Sequence, residues 1–210
     1  MMLRTALLSL VLALLGWASA SWLTNDFQVW TAEGARRLAV VDRPVPAPAA
    51  MLAGPGLTEA SLPEWLARPG QVTIVAFFYT RCTTVCTALG SGFQQLQQAI
   101  AASPDDGVRL LTISFDPAHD DAARLQQYAL QWSADPRHWA VATVPDAGQL
   151  QRLLDAFQVV VITDGLGGYE HNAALLIVDE RGRLVRIFDD TDGDAALAYA
   201  RSIVRRGSAG

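Results

Sequence analysis

The two cysteines of this chain, Cys82 and Cys86, stand four positions apart, and no other thiol is present in its 210 residues. On a helix that spacing puts both sulfurs on one face with Cβ atoms about 5–6 Å apart, whereas a relaxed disulfide brings them to about 3.5–4.5 Å. A metal ion bridges the wider gap more easily. A disulfide also stays open to the pair, because the first turn of a helix can unwind to admit it. Stabilisation alone is a poor reason for such a bridge, since closing so short a loop removes little entropy from the unfolded chain. The chemistry on offer is therefore metal binding or a redox-switchable dithiol. The pair follows an apolar run and precedes an amphipathic one, in Phe78-Tyr79-Thr80-Arg81-Cys82-Thr83-Thr84-Val85-Cys86. Reactive groups in open α/β sheets collect at the carboxyl ends of strands, and a helix N-terminus stabilises a thiolate.

Two thiolates do not complete a metal site, and the chain has three histidines to draw on. His171 lies in Gly167-Gly168-Tyr169-Glu170-His171-Asn172, a glycine-rich loop leading into another apolar run, and reads either as a ligand or as a solvated loop residue. His119 lies in Asp116-Pro117-Ala118-His119-Asp120 after a further strand, and His138 follows Asp135-Pro136-Arg137 in an expected surface turn, where a solvated side chain is expected. Asp-Pro turns initiate helices, and Asp120 or Asp121 makes a good N-cap. Capping is the role expected of Asp120. Asp116 is the candidate for a second-layer partner that orients a metal ligand.

The elements that must position these residues follow from periodicity. Val72–Phe78 is a β-branched and aromatic run after Pro69-Gly70, as expected of a strand buried on both faces. Val85–Ala101 places Leu89, Phe93, Leu96 and Ile100 at helical spacing and ends before Ser103-Pro104. Asp105-Asp106-Gly107 turns into a strand over Val108–Phe115. Helices are predicted over Asp121–Trp132, Asp146–Phe157 and Asp194–Arg205, and short strands over Trp139–Val144 and Val159–Thr163. Ala174–Val178 and Leu184–Phe188, joined by Asp179-Glu180-Arg181-Gly182, read as a hairpin. Strands alternating with helices and closing on a hairpin and a helix predict one α/β or α+β sandwich of about 150 residues.

Composition narrows the function classes. With 51% apolar and 18% charged residues a packed core is expected, and a net charge of −5 offers no basic surface for nucleic acid. All 16 basic residues are arginine, so Schiff-base, lysine-nucleophile and P-loop phosphate chemistry are excluded. Arg4 precedes an uncharged run to Leu23, with Ala18-Ser19-Ala20 at a plausible cleavage point, so residues 1–23 read as a signal peptide or an uncleaved membrane anchor. Either way the positive end stays cytoplasmic, and the rest is expected in the periplasm or at the outer face of the cytoplasmic membrane. Residues 24–61, with Arg43-Pro44-Val45-Pro46-Ala47-Pro48, read as a stalk or linker or as a covering segment, with a helical turn or more expected within Ala35–Val41. The folded domain is then 62–210.

Phe78-Tyr79-Thr80-Arg81-Cys82 through Cys86, Ser114-Phe115-Asp116-Pro117 through Asp120, and His171 followed by Leu176-Ile177-Val178-Asp179 and Gly182 resemble the Sco/SenC family over about Leu62–Arg205. The resemblance implies a thioredoxin-like sandwich, a central sheet flanked by helices. It implies copper as the metal, with Cys82, Cys86 and His171 as ligands and Asp116 and Asp120 beside the site. It also implies assembly of an extracytoplasmic copper site, with the copper-bearing subunit of cytochrome c oxidase, or another copper or thiol protein, as partner. Thr83 and Thr87 stand where the family usually has proline. Two thiolates and an imidazole suit Cu(I) and accommodate Cu(II), whereas a closed zinc site normally takes four protein ligands, which makes zinc the lesser alternative. The reading is of a metallochaperone rather than an enzyme. The enzymatic alternative is a thiol-disulfide reductase using Cys82 and Cys86. Against it stand three residues between the cysteines rather than two, and His171-Asn172-Ala173 in place of the proline such enzymes set before the strand at Ala174. A peroxidase ranks last, for want of a matching motif.

Overall fold

The computed structural model describes residues 2–207 except 25, 28, 83, 84, 104–106 and 166; the side chains of Leu3, Thr58, Val85 and Cys86 are likewise outside the described set. The chain divides into two compact units, Met1–Asp42 and Arg43–Gly210. The first holds helices α1 (Met2–Leu23) and α2 (Ala32–Asp42). Within α1, Arg4–Leu23 has a mean hydropathy of 1.9 and is long and apolar enough to cross a membrane. The Thr31 hydroxyl accepts from the Gly34 amide at the start of α2, and Glu33 pairs with Arg36 and Arg37 one turn on.

The second unit contains β1 (Val45–Pro46), β2 (Met51–Gly54), β3 (Leu57–Ser61), α3 (Leu62–Leu66), β4 (Val72–Phe78), α4 (Val85–Ala101), β5 (Val108–Ser114), α5 (Ala122–Gln131) and β6 (Trp139–Thr143). It continues with α6 (Ala147–Ala156), β7 (Val161–Thr163), β8 (Tyr169–His171), β9 (Ala174–Val178), β10 (Arg183–Asp189) and α7 (Gly193–Gly207). Among the described residues eight strands form one sheet in the order β1-β10-β9-β4-β5-β6-β2-β3, and β7 and β8 make a separate ladder. The three central strands β4, β5 and β6 run parallel, and the other neighbours pair antiparallel. All seven residues of β4 and all five of β9 are buried, as their unbroken apolar runs require of strands covered on both faces. Helices flank the mixed sheet, as the sandwich reading expects.

Core packing explains the helix choices. Leu89, Phe93, Leu96 and Ile100 of α4, Leu125 and Tyr128 of α5, and Leu150, Leu153 and Leu154 of α6 are buried at three- and four-residue spacing. Phe78 stacks on Tyr128 with centroids 4.2 Å apart, and Phe93 meets Trp139 at 5.4 Å. Fully buried phenylalanines such as these each contribute about 1.5–3 kcal/mol. The buried Trp139 indole is satisfied by the Thr112 hydroxyl at 3.0 Å. A Cβ on Gly90 of α4 would lie 2.2 Å from the Trp132 ring, so only glycine permits this approach.

Of the two readings of 24–61, a stalk or a covering segment, the residues from Arg43 on follow the second. Residues 32–42 are helical throughout, and the proline-rich segment joins the sheet. Val45 and Pro46 pair with Leu184 and Arg183 at the edge, the place where proline's missing N–H costs least. β2 and β3 extend the opposite edge, Leu52 is fully buried, and Leu62 N donates to Ala50 O. The compact unit thus starts at Arg43 rather than Leu62. The expected 105–106 part of the turn before β5 lies outside the described residues. The β9–β10 turn forms as read: Asp179 accepts from the Arg181 and Arg183 amides, and Gly182 supplies φ +71°.

Candidate metal centre

The register from Val72↔Val108 to Phe78↔Ser114 makes β4 and β5 end level, so Thr80 and Arg81 leave one strand beside Asp116 leaving the next. Cys82 is half-buried in the loop after β4, and its amide donates to Tyr79 O at 3.3 Å. Cys86 is the second residue of α4. Its side chain lies outside the described set, as does Thr83; Thr87 is exposed on the first turn of α4.

Two buried carboxylates pin this loop. Asp120, fully buried, accepts from the Thr80 amide at 2.9 Å and from the Thr80 and Ser114 hydroxyls. Asp116, 3% exposed, accepts from Arg81 Nη2 at 2.7 Å and Nε at 3.2 Å, and is 2.9 Å from His119 Nδ1. Burial works against ionising Asp116, but the hydrogen bonds from His119 and Arg81 outweigh it and hold its pKa below the ordinary carboxylate value. Arg81 also donates from Nη1 to Gly167 O at 2.9 Å, tying the cysteine loop to the β7–β8 hairpin. The Tyr79 hydroxyl makes a second tie, accepting from Tyr169 N at 3.1 Å and donating to Tyr169 O at 3.2 Å.

His171 ends β8 opposite Val161, rather than lying in an irregular loop as its glycine-rich setting predicts. The glycines serve the hairpin turn instead, with Gly165 and Gly167 at positive φ. The imidazole meets the Phe115 ring edge-on at 5.1 Å, and Phe115 also contacts Tyr79 and Tyr169. The structure thus joins the ends of β4, β5 and β8 through one aromatic cluster. Both ring nitrogens of His171 are buried without a hydrogen-bond partner among the described residues. Burial lowers the His171 pKa, against a weaker opposing pull from Asp190, so the ring is neutral at pH 7 with a lone pair available. Burying two polar atoms without partners is costly, and an incoming Lewis acid would relieve it. Among the described residues no group of three His, Cys, Asp or Glu side chains is disposed to hold a metal ion; Cys82 and His171 are the described candidates.

Asp120 does not cap a helix. Asp121 is the N-cap of α5, accepting from Arg124 N at 2.9 Å, while Asp120 faces inward to serve two strand ends. Asp116 pairs with Arg81 and His119, and it does not hydrogen-bond to the ring nitrogens of His171. His138 is half-buried in its turn, with its carbonyl accepting from Leu110 N. The sequence reading assigned no role to Arg81, Tyr79 or Asn172. Asn172 accepts from Val160 N at 2.7 Å and donates to Gln158 O at 3.1 Å, anchoring the hairpin base where a reductase of this fold would carry proline. The available signal was polarity: an arginine and a tyrosine between a buried strand and a cysteine need partners.

The sequence model of SCO1/SenC matches residues 67–205. A SCO1 protein homolog of Bacillus subtilis is 22% identical over 125 residues, which cover 59% of this chain and 64% of that relative's length. The structure of Bradyrhizobium japonicum ScoI with copper bound superposes with a TM-score of 0.61 at 22% identity, over 75% of this chain and 99% of that one. BsSco, a member of the Sco family of cytochrome c oxidase assembly proteins in which a disulfide switch was identified, superposes at 0.66 with 19% identity, over 78% and 95%. These likenesses show a shared thioredoxin-like fold.

Proposed function

Because the chain belongs to the SCO1/SenC family, we propose that it is a copper metallochaperone, carrying the ion on Cys82, Cys86 and His171 and delivering it to an extracytoplasmic copper site. The recipient in this reading is the copper-bearing subunit of cytochrome c oxidase. One observation carries the proposal: a neutral, buried imidazole whose two nitrogens lack hydrogen-bond partners among the described residues, set at the same end of the sheet as the cysteine loop. Copper is the cargo here. Two sulfurs and one nitrogen fit it by softness, and three protein ligands leave room for a recipient's thiolate or imidazole to enter before the donor's ligands leave. Arg81 and Tyr79 act as positioning residues, holding the hairpin of His171 against the loop of Cys82. Asp116 and Asp120 hold that loop in turn. The N-terminal helix serves as signal or anchor, with the folded unit in the periplasm or on the outer face of the membrane.

A second reading is thiol-disulfide exchange, favoured by the disulfide switch described for the structural relative BsSco. Cys82 and Cys86 would pass two electrons and two protons to a disulfide of the recipient and become a disulfide themselves. The experiment that separates the readings is deletion of the gene, complemented by wild type, Cys82→Ser or His171→Ala, with oxidase activity and copper content measured at limiting copper. Failure of both variants supports copper carriage. Full rescue by His171→Ala alone assigns the thiol role.

A further inference from the structure

The opposite end of the parallel strands carries a second cluster of charge. Arg109, the second residue of β5, lays its guanidinium 4.1 Å from the Trp65 ring centroid and donates from Nη2 to Trp65 O at 2.9 Å. Its Nε is buried with no partner among the described residues. Arg68 lies 5.7 Å from the same ring centroid. Together with Arg137 and His138 they line a cavity of about 220 Å³, bounded also by the β2–β3 turn at Pro55 and Gly56. Arg137 is already committed to Asp135. No carboxylate lines the cavity, and neither Arg68 nor Arg109 has an acidic partner among the described residues.

This arrangement is unfavourable as it stands. Burial, reinforced by the nearby charge of Arg68, pushes the Arg109 pKa down to about 10, so the group stays charged at neutral pH. A chain of net charge −5 has carboxylates to spare, yet the one beside the cavity, Asp135, is taken up by Arg137. Two like charges gathered on one indole, one of them desolvated, are stabilised by an anion that enters the cavity they line. We propose that this cavity binds a small tetrahedral oxyanion of the phosphate class, held by the guanidiniums of Arg68 and Arg109 with His138 on its wall. Two guanidiniums on one cavity can donate to a tetrahedral anion, which accepts in several directions, more readily than to a carboxylate, which presents one plane. The site is separate from the cysteine loop, at the other end of β5, so it does not depend on copper carriage.

The test is calorimetric titration of the full chain, in a non-ionic detergent at fixed ionic strength, with inorganic phosphate, acetate and chloride. Saturable binding of phosphate, one per chain, is expected. Arg68→Gln should weaken it about tenfold, the loss of one charge-assisted hydrogen bond, while Arg124→Gln on the exposed face of α5 should not change it. Arg68 is exposed and its charge opposes that of Arg109, so its variant is expected to keep or slightly raise the unfolding midpoint in the absence of phosphate, a check that separates lost binding from lost fold. Absence of saturable binding, or equal affinity in Arg68→Gln and wild type, overturns the proposal. Acetate binding as tight as phosphate overturns the phosphate class. Glycerophosphoglycerol, the water-soluble headgroup of phosphatidylglycerol, distinguishes two sources of the same chemistry. Tighter binding than phosphate supports a lipid headgroup as the natural occupant, and weaker binding supports the free ion.

Discussion

At the carboxyl ends of β4 and β5 the buried charges are carboxylates, and each is met by donors: Asp120 by Thr80 and Ser114, Asp116 by Arg81 and His119. At the amino end of β5 the charge is a guanidinium set beside another, and among the described residues neither is paired with a carboxylate. What the first end leaves without a partner among the described residues is neutral, the imidazole of His171. The contrast shows how to read an orphan. A buried neutral nitrogen surrounded by satisfied charges offers a lone pair to a cation, whereas a buried cation without a counter-charge offers donors to an anion. Satisfied groups such as Asp120 build the frame, and unsatisfied ones mark where something else is expected to bind.

The sharpest way to break this contrast is His171→Phe. Copper affinity should fall by more than about a hundredfold, beyond the usual cost of losing a residue that only supports a ligand. The metal-free protein should be as stable as wild type or more so, because an apolar ring replaces buried unpartnered nitrogens. Copper titration with urea denaturation of the same preparation checks both, and a marked loss of apo stability would mean that the imidazole has partners after all. Next in size is Asp120→Ala, expected to cost about 3 kcal/mol because it leaves the Thr80 amide and the Thr80 and Ser114 hydroxyls without their acceptor. Denaturant midpoints at constant slope measure it.

A smaller effect separates Asp116 from its neighbour by pH. Its folded pKa lies below the ordinary 3.8, so the unfolded state binds the proton more readily and stability rises with pH through that window. The contribution of Asp116 is fully present above the unfolded value and is lost as pH falls through the folded one. Unfolding free energies of wild type and Asp116→Asn should therefore differ above pH 4 and converge below it; a constant difference across the range would deny the paired carboxylate. The smallest change is at the other end of β5. Arg68→Glu gives Arg109 a counter-charge and should stabilise the fold by under about 1 kcal/mol, seen as a slightly higher thermal midpoint, since Arg68 is solvent-exposed. The same substitution should abolish phosphate binding. An unchanged or lower midpoint would show that Arg109 already has compensation.

Much of the frame was legible along the chain because it rests on local signals. The apolar run Val72–Phe78, the helical spacing of Leu89, Phe93, Leu96 and Ile100, and the Asp179–Gly182 turn each state their own conformation through burial pattern and backbone preference. The cysteine pair announced a chemistry for the same reason, since residue type and spacing are local. Three things were not local. Pro46 and Leu52 join the sheet only because β10 and β6 present open edges to them, a pairing between distant segments that proline content obscures. Asp120 and Asp121 are alike as residue types, and which one caps α5 was decided by the depth at which the chain crosses Thr80 and Ser114. His171 and His138 were both read as loop histidines. Packing made one a neutral, unpartnered ring against Phe115 and set the other on the wall of an arginine-lined cavity. Sequence by itself determined the central strands β4, β5 and β9, the helices packed on them and the reactive groups, because each depends on neighbours a few residues away. The tertiary structure alone decided which polar groups are satisfied, because hydrogen-bond partners and desolvation come from segments far apart in the chain.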